Sequence, residues 1–138
     1  MKIFIDTNVL IYWVDESARA DRVEQLLAQT SVISVQVLNE FANVLRKKRG
    51  LSLDDIQALS NTLIETCLVH DLGVRTHQLA LVLMARYNFS LYDANIVAAA
   101  GLSGCAVLYT EDMQDGLTVK LPDFAGGSTL SIRNPFRG

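Results

Sequence analysis

The chain has 138 residues, half of them hydrophobic and a fifth charged. That suffices for one domain with a buried core, residues 1–138, and excludes a disordered tail or a disulfide-dense miniprotein. Twelve Lys and Arg against fifteen Asp and Glu leave a formal charge of −3, which argues against holding nucleic acid by bulk positive charge.

In chain order, residues 2–5 form a short apolar run that reads as a buried strand ending at Asp6. The acid also interrupts the run before it could serve as the core of a secretory signal. The longest apolar stretches, residues 9–14 and 79–85, fall far short of the ~18 residues of a membrane span. No membrane association is expected, and the cytoplasm is the expected compartment. Residues 8–14 and 18–28 have helical patterning, and 31–34 is a second β-rich run. Ser34 is placed to cap a helix through Lys48 with an apolar stripe of Val37, Leu38, Phe41, Val44 and Leu45, and Gly50 follows as a stop. Ser52, with Asp55 three residues on, opens a helix through about residue 64. A third strand is expected at 66–69, helices at 76–87 and 91–102, and a fourth strand at 106–109. Residues 117–120 and 130–132 are candidate strands around a loop at 122–128. Cys67 and Cys105 have no second Cys or His at ligand spacing and read as buried, reduced thiols on strands. Short apolar strands separated by helices predict a mainly parallel sheet covered on both faces, a three-layer α/β/α domain.

In such a sheet, functional groups collect at the carboxyl ends of strands. Asp6 directly follows the first strand, and Asp112 comes just after the fourth. Asp93 falls on the same helical face as Ile96, Val97 and Ala100, so it points where core residues point, while Ser90 three residues earlier offers it a capping role as well. Glu40 stands at the edge of the stripe containing Val37, Phe41 and Val44. Two carboxylates ~5 Å apart repel by roughly 3 kcal/mol at an effective dielectric of 20, so convergence of these acids calls for protons or a cation. Oxygen donors without His or Cys select Mg²⁺, with Mn²⁺ as a substitute, and Mg²⁺ commonly partners phosphate oxygens. The run Arg46-Lys47-Lys48-Arg49 is a candidate RNA contact, although cations at a helix C-terminus are also favoured by the macrodipole.

The segments Asp6-Thr7-Asn8-Val9-Leu10-Ile11-Tyr12, the inward Glu40, Ser90-Leu91-Tyr92-Asp93-Ala94 and Thr110-Glu111-Asp112 together resemble the successive motifs of PIN-domain ribonucleases. Within that family the chain looks most like the VapC toxins of toxin–antitoxin pairs. The resemblance implies strand order 3-2-1-4-5 and an acidic metal site formed by Asp6, Glu40, Asp93 and Asp112. Asp115 matches an additional acid of some members. It also implies a Mg²⁺-dependent endoribonuclease that cleaves by metal-activated water, a cognate antitoxin as partner, RNA as substrate and a homodimer. Three alternatives compete with this reading. One is a catalytically degenerate PIN module that binds RNA or protein. Another is a metal-independent ribonuclease using His70 and His77. The third is a phosphatase with Asp6 as nucleophile, which Asp6-Thr7-Asn8 disfavours by lacking a second acid two residues on. Without the four site acids and Asp115, the remaining formal charge would be +2, so these acids account for the net negative charge of an otherwise mildly basic chain.

Overall fold

A computed structural model describes residues 1–137, so only Gly138 of the expected domain lies outside the described residues. The strands are β1 (Lys2–Ile5), β2 (Thr30–Ser34), β3 (Leu68–His70), β4 (Val107–Tyr109), β5 (Thr118–Lys120) and β6 (Thr129–Arg133). The α-helices are α1 (Thr7–Leu10), α2 (Ala18–Leu27), α3 (Val35–Lys47), α4 (Leu53–Thr66), α5 (Val74–Tyr87) and α6 (Leu91–Leu102). All six strands join one sheet in the order β3-β2-β1-β4-β6-β5. Among the described residues, only the β5–β6 pairing is antiparallel. The expected order holds through β4. The candidate strand at 130–132, β6, is the one that pairs with β4, and β5 folds back on it as the outer edge.

The connections explain the layers. Stepping from β1 to β2 to β3 moves one way across the sheet, and the crossover from β3 to β4 returns past β1. With right-handed crossovers, α2, α3 and α4 cover one face and α5 and α6 the other. The reversal falls between β1 and β4, the point where an open parallel sheet leaves a crevice at its carboxyl edge. β1 is buried on both faces, with Ile3, Phe4 and Ile5 inaccessible to solvent, and Leu108 of β4 is inaccessible beside it. Ile33 of β2 and Leu130 and Ile132 of β6 extend this core.

Several local readings shift for identifiable reasons. The helix expected at 8–14 is α1 followed by a 3-10 turn, Ile11–Val14, that closes with Asp15 N–H donating to the Tyr12 carbonyl. β3 starts at Leu68, because Thr66 prolongs α4. The Thr62 and Thr66 hydroxyls donate to the carbonyls of Ala58 and Thr62, so these β-branched residues bond back into the helix. α5 begins two residues earlier than expected, at Val74. Cys67 and Cys105 are buried free thiols, as expected, but neither lies on a strand: Cys67 ends α4, and Cys105 precedes β4. Burial pushes both thiols up, Cys105 to about 12, so neither is a nucleophile.

Candidate active site

Asp6 is placed by the end of β1. Its backbone N–H donates to the Tyr109 carbonyl of β4, and its carboxylate caps α1 by accepting from Thr7 N–H at 2.7 Å. The second carboxylate oxygen accepts from the Thr110 hydroxyl at 2.9 Å and from the Asn8 amide at 3.2 Å. Asn8 reaches further, since its own side-chain oxygen accepts Glu111 N–H at 2.9 Å. The start of α1 and the loop after β4 are thereby stitched together at the switch point.

Glu40 lies in the second turn of α3. Ser34 caps that helix by accepting Val37 N–H, and Val37, Phe41 and Leu45 anchor its inner face. Its carboxylate is fixed at both oxygens, accepting from the Thr7 hydroxyl at 2.9 Å and from Gln36 at 3.1 Å. Asp93 sits in the first turn of α6, where Ser90 accepts its backbone N–H at 3.2 Å, so the capping role and the inward face coexist. Asp112 is exposed, with its N–H directed at the Thr110 hydroxyl.

Asp6, Glu40, Asp93 and Asp112 all line one cavity of about 530 Å³. Glu111 is a fifth acid on its wall. Burial is the main reason the Asp6 carboxyl is pushed up to about 6; hydrogen bonds from Thr110 and Thr7 oppose this, and repulsion from Glu40 and Asp93 adds to it. Asp93 is also raised, first by burial, against its bond with Ser90, and then by repulsion from Asp112 and Glu40. Glu40 thus repels both Asp6 and Asp93, Asp6 also feels Asp93, and Asp93 also feels Asp112. As the side chains stand, no three Asp, Glu, His or Cys groups among the described residues are spaced to close around one ion. Glu40 is held by Thr7 and Gln36, and Asp112 stands at the solvent rim. The donor set itself fits a hard divalent cation, since it is rich in carboxylate oxygen and the cavity wall carries neither His nor Cys.

Asp115 is not on this wall; it accepts Asn134 N–H at 2.8 Å and ties the C-terminal segment to the loop after β4. His70 is bonded to the Thr76 hydroxyl at 2.8 Å, and His77 lines a separate cleft beside Leu72 and Val74. Neither histidine lines the acidic cavity. Of the basic run, Lys48 alone is on the cavity wall, and Arg49 pairs with Asp15.

Sequence reasoning assigned no role to Asn8, Thr110 and Thr7, the groups that orient Asp6 and Glu40. Thr110 directly follows β4, whereas Thr7 and Asn8 stand in the first turn of α1, and each acts through a partner elsewhere in the chain. Arg19 was also missed. It lies 4.8 Å from the ring centroids of both Tyr12 and Phe136, and it donates to Glu111 at 2.7 Å. Two of its three partners, Glu111 and Phe136, come from distant parts of the chain, so no local pattern marks it.

The family pattern of the PIN domain matches residues 3–114. The chain belongs to the PIN-domain family. No curated protein matches it significantly. Among solved structures, this PIN domain is similar to a toxin–antitoxin complex from Klebsiella pneumoniae, with 20% identity, 99% of each chain covered and a TM-score of 0.68. It is also similar to DNA-bound VapBC from Salmonella typhimurium, at 20% identity over 98% of each chain and a TM-score of 0.66. VapC20 of Mycobacterium tuberculosis, described as a sarcin-ricin-loop-cleaving toxin, matches at 20% identity over 80% of this chain and 89% of its own, with a TM-score of 0.64. At these identities the structural likeness concerns the fold. No helix among the described residues is long and apolar enough to cross a membrane.

Proposed function

We propose that this PIN domain is a Mg²⁺-dependent endoribonuclease and the toxin of a toxin–antitoxin pair. The observation that carries the nuclease reading is the convergence of Asp6, Glu40, Asp93 and Asp112, from four separate parts of the chain, on one cavity at the switch point of the sheet. The toxin role draws on the resemblance to VapC proteins and on solved relatives that are toxins or toxin–antitoxin complexes. A cognate antitoxin is the expected partner, and a homodimer the expected assembly.

Asp6 and Asp93 would hold the ion, with Glu40 and Asp112 as further ligands or partners of its waters. Bound there, Mg²⁺ would supply charge neutralisation at the scissile phosphate and acidify a water. The chain's own contribution is orientation. Thr110, Thr7 and Asn8 aim the Asp6 oxygens, and Thr7 and Gln36 fix both oxygens of Glu40 before substrate arrives. Attack by water on phosphorus, with departure of the ribose 3′ oxygen, leaves 5′-phosphate and 3′-hydroxyl ends.

Cleavage of purified RNA with Mg²⁺, followed by chemical analysis of the ends, tests this reading. The expected result is 5′-phosphate products, loss of cleavage in EDTA, and a fall of at least ~100-fold in Asp93→Asn, in line with removing a group that acts on the reacting centre. Full activity in EDTA, with 2′,3′-cyclic phosphate ends, would overturn it and point to metal-independent chemistry.

A further inference from the structure

The acidic cavity does not stop at the carboxylates. Gln36, Glu40, Val44 and Lys48 recur every four residues along α3 and its C-terminal cap, a spacing that stacks side chains along one side of a helix, and all four are on the cavity wall. The wall facing Val44 includes Ile11 of the 3-10 turn. Along α3 the wall therefore runs from the acidic Glu40, past Asn43 and the apolar Val44, to the cationic Lys48.

Lys48 is the one Lys or Arg on this wall among the described residues, against five acids. It enters neither of the two ion pairs found among the described residues, Arg19–Glu111 and Arg49–Asp15. The second pair has a structural consequence. Asp15 ends the 3-10 turn and Arg49 follows the end of α3, so their ion pair joins the two walls of the groove beside Lys48. Arg49 is thus occupied in holding the groove, and Arg46 and Lys47 lie off its wall. The basic run divides into residues with different positions, and one cation is left exposed in the groove.

We propose that Lys48 is a phosphate subsite, contacting an RNA backbone phosphate that flanks the scissile one. This rests on the ribonuclease reading above. Eight residues of helix separate Glu40 from Lys48, a rise of ~12 Å, so the phosphate bound by Lys48 is not the one that reacts. The apolar stretch of Ile11 and Val44 lies under the intervening nucleotide. Lys48 is a binding residue: its ammonium reduces the repulsion that five carboxylates impose on an incoming polyanion.

The test uses the full chain. Steady-state cleavage of a short fluorescein-labelled RNA of mixed sequence is measured with Mg²⁺ for wild type, Lys48→Ala, Lys48→Arg and Lys47→Ala. Binding of the same RNA, in an Asp93→Asn background, is followed by anisotropy across a salt series. Lys48→Ala is expected to raise KM about tenfold with kcat within about twofold. The slope of log affinity against log salt should become shallower by ~0.7, the value for one lost phosphate contact on a single strand. Lys48→Arg should restore both, and melting temperature should not follow the KM change. Equal losses in Lys47→Ala would overturn the proposal by showing that only the bulk charge of the helix end matters. So would an unchanged KM and salt slope in Lys48→Ala while wild type cleaves normally. Absence of Mg²⁺-dependent RNA cleavage in wild type is a separate result and would remove the ribonuclease reading itself.

Discussion

Asp6 is ionised at neutral pH at a cost to the fold. It is only 6% exposed, and its two oxygens serve Thr7, Asn8 and Thr110. Burial together with the neighbouring acids lifts its carboxyl from 3.8 to about 6, which corresponds to about 3 kcal/mol of unfavourable free energy once it is ionised. The sign follows from proton binding. Between about 6 and 3.8 the native state holds a proton that the unfolded chain has released, so this contribution stabilises increasingly as pH falls and is lost as pH rises through about 6. Asp6→Asn, which keeps an oxygen acceptor and removes the charge, is therefore expected to raise metal-free stability at pH 7.5 by up to about 3 kcal/mol. That advantage should vanish at pH 3.5. Urea unfolding at the two pH values measures it, and a variant less stable than wild type at both would assign Asp6 a purely structural role. At this scale the four acids were legible in the sequence, because a carboxylate at a strand end or on an apolar helix face conflicts with its surroundings. Asn8 and Thr110 were not singled out, since a short polar residue at a helix start or after a strand is ordinary and their meaning lies in a contact spanning about a hundred residues.

The elements carry these residues through their caps. Ser34, Ser52 and Ser90 each accept a backbone N–H three residues on and open α3, α4 and α6. The cap at Ser34 is buried, ends β2 and sets the start of the helix that carries Glu40. Ser34→Ala should lower stability by about 1 kcal/mol. Denaturant titration should show this as a lower midpoint with unchanged m-value; a shift below a few tenths of a kcal/mol would mean that packing alone fixes the helix start. Cap residues and apolar spacing made α3 and α6 readable to within a residue. The burial of α6 was only partly readable. Asp93 was placed on one apolar face, yet every residue from Ile96 to Gly101 is buried. The helix lies against β2, β4 and β6 and alongside α5, so nearly its whole circumference is covered. A helix enclosed in this way shows little amphipathic contrast, and its orientation comes from its neighbours.

For the whole molecule, charge placement outweighs net charge. The formal −3 is small, but five carboxylates share one cavity, and the fold keeps them together without any cation on that wall except Lys48. A divalent ion bound among them would stabilise the native state by mass action, by about 2.7 kcal/mol at a hundred times its Kd. Adding MgCl₂ to metal-free protein at pH 7.5 should therefore raise Tm in a concentration-dependent way, and Asp93→Asn should flatten that response. An equal rise in wild type and Asp93→Asn would show that the ion acts away from this cavity.

The amino-acid sequence by itself determined the α/β class, the alternation of short apolar strands with capped helices, and the four acids with their motifs. These are local properties, carried by periodicity, caps and the incompatibility of a charge with an apolar face. Only the tertiary structure decided that β6 lies beside β4 with β5 outside it, because strands of three to five residues carry no label for their partner. It also decided which member of the basic run meets the cavity, and that Thr110 and Asn8 join the loop after β4 to the start of α1 around Asp6. Those outcomes depend on groups far apart in the chain, brought together when the β3-to-β4 crossover reverses direction and opens the crevice between β1 and β4.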